Sequence, residues 1–136
     1  APQVLVTELH RLTAELRRIN LGLCVMTNDA ENPARAHLAS VEALDLFDFV
    51  IGSDSGFGAK PDAAPLLALA DKMDIPAAAC VMVGDSTHDL HAGRAAGMRV
   101  VAVLTGLAKV AELAPLADAV LPDVSYLPAW ISAQNS

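Results

Sequence analysis

Four kinds of polar group stand at the ends of apolar runs in this sequence: Thr27-Asn28, Lys60, Asp85 and Asp89. The most informative stretch is Val81-Met82-Val83-Gly84-Asp85-Ser86-Thr87-His88-Asp89-Leu90. Residues 80–83 read as a buried strand, Gly84 breaks it, and helical spacing resumes from Ser86 through Gly97. Asp85 and Asp89 therefore sit at a strand-to-helix corner, where at i and i+4 they face the same way. Like charges so placed repel by a few tenths of a kcal/mol unless something positive lies between them. A divalent cation such as Mg²⁺ accepts hard carboxylate oxygens and answers that need. The simpler alternative is that Asp85 or Ser86 caps the helix and Asp89 suits its first turn.

Lys60 precedes an expected helix start, where an ammonium meets the positive end of the macrodipole unless an anion is also present. An ordinary surface lysine is the alternative, just as Thr27 and Asn28 could be a strand end and a turn. Together, a hydroxyl, an amide, an ammonium and two carboxylates make a site for a phosphoryl group and its Mg²⁺.

The elements that must position these groups follow a β-α rhythm. An amphipathic helix is expected over residues 7–18, from Leu9, Leu12, Leu16 and Ile19 at helical spacing. Apolar runs at 21–26, 47–51, 80–83, 98–104 and 119–121 read as strands of a covered parallel sheet. Asn32-Pro33 reads as an N-cap and first helical position, with that helix continuing to Leu44. Further helices are expected over 62–73, from Ser86 to Gly97, and over 107–113, with Gly97 as a left-handed cap. The loop 52–61 carries three glycines, which implies backbone freedom or a close approach. The expectation is one domain over residues 1–136, a three-layer α/β/α Rossmann-like core with a mainly parallel sheet. Ligands of such sheets bind at the carboxyl ends of the strands, where these polar groups fall.

Composition narrows the function classes. The chain has 136 residues, is 54% hydrophobic and carries a formal charge of −7, which argues against a nucleic acid or an anionic membrane as partner. Cys24 and Cys80 lie in apolar runs without C-x-x-C spacing, so reduced core thiols are expected. No signal pattern opens the chain and no apolar run of about 18 residues could cross a membrane, so the expected location is the cytoplasm.

Three segments in register carry a resemblance: Leu23-Cys24-Val25-Met26-Thr27-Asn28, then Gly58-Ala59-Lys60-Pro61-Asp62-Ala63-Ala64-Pro65, then Val83-Gly84-Asp85-Ser86-Thr87-His88-Asp89 with Ala92-Gly93-Arg94-Ala95-Ala96-Gly97-Met98. From about Thr7 to Leu121 the sequence resembles the haloacid dehalogenase superfamily, in particular its phosphatases related to phosphoglycolate phosphatase and β-phosphoglucomutase. That resemblance implies a Mg²⁺-dependent phosphatase acting on a small phosphorylated metabolite. Thr27 would bond the phosphoryl oxygens with Asn28 beside it, and Lys60 would neutralise charge shared between phosphate and nucleophile. Asp85 would bind Mg²⁺, with Asp89 supporting it directly or through water.

The sequence also departs from the pattern. The family's first strand ends in Asp-x-Asp-Gly-Thr, whose first Asp forms the aspartyl-phosphate and whose second is the general acid and base. No such segment occurs here, so the first, central strand and the cap are expected to be missing. Residues 4–9 could be a degenerate version of that strand, although Thr7 and Leu9 would stand where the aspartates belong. Two functions follow: the core of a phosphatase, or a catalytically inactive relative that binds phosphate, metal or another protein. A gap in the sheet would also favour self-association into a homo-oligomer. Receiver domains share the residue types, but there the acids precede Thr and Lys, whereas here the order is Thr27, Lys60, Asp85. No phosphate-binding loop or dinucleotide turn follows any strand. His88 and His91 read as exposed histidines near the site.

Overall fold

The structure is a computed structural model and describes residues 6–134. In chain order the main elements are α1 (Val6–Arg18), β1 (Cys24–Met26), α2 (Glu31–Ser40), β2 (Phe49–Ile51), α3 (Ala64–Lys72), β3 (Val81–Gly84), α4 (Thr87–Ala95), β4 (Arg99–Val103), α5 (Val110–Leu113), β5 (Ala119–Leu121) and α6 (Leu127–Gln134). All strand pairs are parallel. Among the described residues they form two sheets, β1 with β2 and β3 with β4 and β5, so β1 and β3 are not paired.

Alternation of side chains explains the layering. Val100 and Ala102 of β4 pack with Leu90 of α4 and Leu113 of α5, while Val101 packs with Leu16 of α1 and Leu127 and Ile131 of α6. β4 is covered on both faces, and Val100, Val101 and Ala102 are fully buried, as a central parallel strand should be. By contrast every residue of β1, and Val81, Met82 and Val83 of β3, is only half-buried. One apolar cluster, with Cys24 and Met26 on one side and Cys80 and Met82 on the other, spans the interval between the two sheets beneath α3 and α4. On the opposite face Leu21, Leu23, Val81 and Val83 join the cluster under α1 and α6. The three-layer α/β/α expectation therefore holds, with packing rather than a hydrogen-bonded ladder joining the halves. Both cysteines are free and half-buried, and burial is the main cause pushing both thiols above their ordinary pKa.

Several boundaries differ from the sequence reading. Asn32 does not cap α2, which already begins at Glu31. The Asp54 Oδ1 accepts the Glu31 N–H at 2.8 Å, so a carboxylate from the loop after β2 supplies the cap. Pro33 then falls at the third helical position, where its missing N–H has no partner to lose. The same helix ends at Ser40, and Glu42 turns the chain with a φ of 56°. α5 begins only at Val110 and leaves Leu107 exposed. Gly97 does adopt a left-handed φ of 78° after α4. α6 was not anticipated, although Leu127 and Ile131 are one helical turn apart and both buried.

Asp48 fastens the start of the first sheet. Its Oδ2 accepts the Leu23 N–H at 2.8 Å and a proton of Arg17 Nη1 at 3.0 Å, while its own N–H donates to the Leu23 carbonyl at 2.7 Å. The Leu23 N–H, followed by the Arg17 guanidinium, holds the Asp48 carboxyl below the ordinary carboxylate range. A depressed folded-state pKa stabilises the fold above the ordinary value, and that contribution is lost as pH falls through the depressed one. Asp48→Ala is expected to cost about 1 kcal/mol near neutral pH, a figure kept small because the side chain is 34% exposed. Urea unfolding at neutral pH and below pH ~4 checks this, and the gap between native chain and variant should narrow on acidification.

Candidate active site

The polar groups expected to do chemistry meet at the carboxyl ends of β1 and β3. Thr27 continues the first ladder past Met26, its N–H donating to the Ile51 carbonyl at 3.1 Å. Its Oγ1 accepts the Asp29 N–H at 3.1 Å, which orients the hydroxyl and leaves its proton to donate. Asn28 turns toward the loop after β2. Its Oδ1 accepts the Lys60 N–H at 2.9 Å and its Nδ2 donates to the Lys60 carbonyl at 3.1 Å.

That loop is fixed at several further points. Gly56 and Gly58 adopt φ values of 94° and 93°, which side-chain-bearing residues disfavour. Between them Phe57 packs against the apolar cluster under α3, with the Lys72 ammonium 5.2 Å from its ring centre. Ser55 Oγ accepts the Gly52 N–H at 2.8 Å and donates to Glu31 Oε1 at 2.6 Å. The Ser55 hydroxyl, followed by Arg35, holds the Glu31 carboxyl below its ordinary pKa. The loop is thus held to the core and to α2 before it delivers Lys60.

Lys60 does not lie over the start of α3. Its Nζ donates to the Met26 carbonyl at 3.2 Å and forms an ion pair with the Asp89 carboxylate. Both side chains are only 11% exposed. Asp89 sits in the first turn of α4, where Ser86 caps the helix by accepting the Asp89 N–H at 3.3 Å. The second Asp89 oxygen accepts the Asp85 N–H at 3.2 Å. Met26, Lys60, Asp89 and Asp85 therefore form one continuous polar chain linking the end of β1 to the end of β3. Gly84 permits the approach, since a Cβ there would stand 2.2 Å from the Asp89 Cβ.

The Asp85 carboxylate behaves differently. It meets Asp89 through its backbone, and its oxygens have no hydrogen-bond or ion-pair partner among the described residues. It borders an open depression of about 470 Å³, lined also by Ser86, Thr87, Gly106 and Glu112. Gly106 lies against it, because a Cβ there would be 2.8 Å from the Asp85 Cγ. The sequence reading singled out neither this role of Gly106, just past the end of β4, nor the Met26 carbonyl. A Thr-Gly step after an apolar strand was the available signal for Gly106; a backbone acceptor leaves none. Asp85 lies before the Ser86 cap and outside α4, so the two carboxylates do not share one helix face as the spacing predicts. The positive neighbour of Asp89 is Lys60. Ser86 capping and an acidic first turn hold together with that pairing.

No group of three or more His, Cys, Asp or Glu side chains is placed to hold a metal among the described residues. Mg²⁺ does not require one, because it keeps several waters and takes one or two carboxylates plus substrate oxygens. A free carboxylate beside an open depression fits that donor set. Asp89, with both oxygens engaged, stands behind Asp85.

A parallel α/β core thus carries an ammonium, a hydroxyl and a free carboxylate at the carboxyl ends of β1 and β3. Residues 4–103 match the haloacid dehalogenase-like hydrolase family, and the chain belongs to it. It is 41% identical over 117 residues to a phosphoglycolate phosphatase of Rhodospirillum rubrum, covering 85% of this chain and 47% of that protein. A phosphoglycolate phosphatase of Nitrosospira multiformis is 36% identical over 110 residues, covering 80% of this chain and 48% of the relative. The chain thus spans about half the length of these curated relatives. Among solved structures, a haloacid dehalogenase-family hydrolase of Deinococcus radiodurans, described with bound phosphate and sodium, superposes with a TM-score of 0.83 at 22% identity, over 90% of this chain and 57% of that one. At that identity the likeness is one of fold.

The nearly buried ion pair generates a stability prediction. Lys60→Met leaves the Asp89 carboxylate unpaired and should cost about 3 kcal/mol. Asp89→Asn should cost about 2 kcal/mol by leaving the ammonium without its counter-ion. In urea unfolding at neutral pH, the double variant should lose clearly less than the two single losses added together.

Proposed function

We propose that this chain forms the core of a Mg²⁺-dependent phosphomonoester hydrolase acting on a small phosphorylated metabolite in the cytoplasm. The observation that carries the reading is the Lys60 ammonium, pinned between the Met26 carbonyl and Asp89 at the strand ends. Similarity to proteins named phosphoglycolate phosphatase supports the reaction class. In this reading the Lys60 charge faces the phosphoryl oxygens, and Thr27 Oγ1 donates its proton to one of them. Asp89 fixes the ammonium in place and, through the Asp85 N–H, fixes the turn that presents the Asp85 carboxylate. Asp85 would hold Mg²⁺, with Asp89 behind it. When bound, Mg²⁺ supplies positive charge for the phosphoryl oxygens and orients the reacting groups.

Turnover through the aspartyl-phosphate that the family resemblance implies needs a carboxylate nucleophile. Binding without turnover is the second reading, and one observation favours it. Asp89 has both oxygens engaged, one by the Lys60 ammonium and the other by the Asp85 N–H, so it is not free to attack phosphorus. The half-buried, unpaired edges of β1 and β3 also support the proposal that the chain self-associates. Sedimentation velocity at micromolar concentration is expected to show a dimer or larger species, and a monomer would overturn that proposal.

The deciding experiment is hydrolysis of a generic phosphomonoester by the native chain with Mg²⁺ and with EDTA, beside Asp85→Asn. The phosphatase reading expects turnover with Mg²⁺ that EDTA abolishes and that falls at least about 100-fold in the variant, the scale for removing one major electrostatic element. Turnover in the native chain would direct attention to Asp29→Asn and Asp54→Asn as tests of the nucleophile. Phosphate binding without turnover, lost in Asp85→Asn, would establish the second reading instead.

A further inference from the structure

We infer that Asn28 serves this site as a positioning residue, acting through the backbone of Lys60 rather than by touching the phosphoryl group. The inference deepens the proposed function, because it concerns how the site's ammonium is held. Asn28 is exposed, so its amide could reach a ligand. Instead each of its polar atoms holds one Lys60 backbone group, Oδ1 accepting from the N–H at 2.9 Å and Nδ2 donating to the carbonyl at 3.1 Å. The two Lys60 groups fix which way the amide points, since an N–H requires an acceptor and a carbonyl a donor. A paired amide-to-peptide contact restrains rotation as well as distance, which a single hydrogen bond does not.

The consequence lies at the other end of the lysine. A flexible four-carbon stem separates the Lys60 Cα from its ammonium, and the ammonium reaches Met26 and Asp89 only if that Cα stands correctly over the end of β1. Asn28 follows β1 by two residues, so the clamp ties the Lys60 backbone to the strand whose last carbonyl, that of Met26, accepts from Nζ. Backbone and head group of one lysine are thereby referenced to the same strand end. An aspartate at this position would keep an acceptor for the Lys60 N–H but face the carbonyl with a second acceptor. Alanine would remove both contacts.

The test reads Lys60 directly and does not depend on turnover. The chain has three lysines, Lys60, Lys72 and Lys109, of which Lys72 and Lys109 are exposed. Under trace amine acetylation followed by peptide mass spectrometry, native Lys60 should label most slowly. In Asn28→Ala, which loses both contacts, its rate relative to Lys72 and Lys109 should rise at least about fivefold, the scale set by one net hydrogen bond. Asn28→Asp should fall between native and alanine and, by retaining one contact, covers the case in which Asn28→Ala fails to fold. Far-UV circular dichroism and unchanged Lys109 labelling show that the fold persists. An unchanged Lys60 ratio in both folded variants overturns the inference, as does loss of inorganic phosphate binding, by titration with Mg²⁺, while that ratio stays native. Failure of the native chain to bind phosphate defeats the functional reading, and the labelling ratio still decides the clamp.

Discussion

The ion pair between Lys60 and Asp89 is the constraint on which the site depends. It joins residues that the chain brings from different sheets, and each partner is held by other groups before the two meet. Met26 and Asn28 hold Lys60 from the β1 side, while Ser86 and the Asp85 N–H hold Asp89 from the β3 side. Desolvation offsets most of the attraction in such a nearly buried pair, so it adds little net stability over an apolar substitute. Its position is better explained by what it fixes: an ammonium that cannot swing away, and a helix start that cannot shift without leaving a charge unpaired.

That fixation matters because main-chain pairing does not supply it. The covered strand β4 is locked on both faces, whereas β1 and β3 are half-buried and belong to separate sheets. Apolar clusters above and below join the halves, with Cys24, Met26, Cys80 and Met82 on one face and Leu23, Val81 and Val83 on the other. Such packing is strong but non-directional. Hydrogen bonds and ion pairs set direction, and the chain from Met26 to Asp85 sets it where the chemistry is expected.

Much of this was legible in the sequence because it is local. Continuous apolar runs gave all five strands, helical spacing gave α1 to α5 but not α6, and Gly97 marked the end of α4. The polar residues at strand ends were legible for the same reason: a parallel sheet exposes its side chains to ligands there. What was not legible depends on distant partners. Asn32 looked like a cap because the Asp54 that caps α2 lies 23 residues beyond Glu31, whose N–H it accepts. Asp85 and Asp89 looked like a matched pair because spacing along a helix cannot show that Lys60, 29 residues before Asp89, claims one of them. The sequence places Asn28 at the expected phosphoryl site, and nothing in its neighbours betrays the two Lys60 backbone groups that also hold it.

The separation of the two carboxylates has an electrostatic consequence. With Asp89 neutralised by Lys60, the Asp85 and Glu112 carboxylates are the charges without an ion-pair partner, among the described residues, beside the depression that Gly106 and Ser86 help to line. A depression lined by unpaired carboxylates attracts a cation and repels a phosphate dianion. The chain as a whole carries a formal charge of −7, so its overall field does not draw an anion in either. A divalent cation on Asp85 would reverse the local sign, leaving the Lys60 ammonium and the Thr27 hydroxyl to act on an anion already favoured. In the phosphatase reading proposed above, charge would then set the order of binding, the cation first and the phosphoryl group second. The Lys60–Asp89 pair thus keeps the ammonium occupied at the end of β1 while the Asp85 carboxylate stays without an ion-pair partner among the described residues.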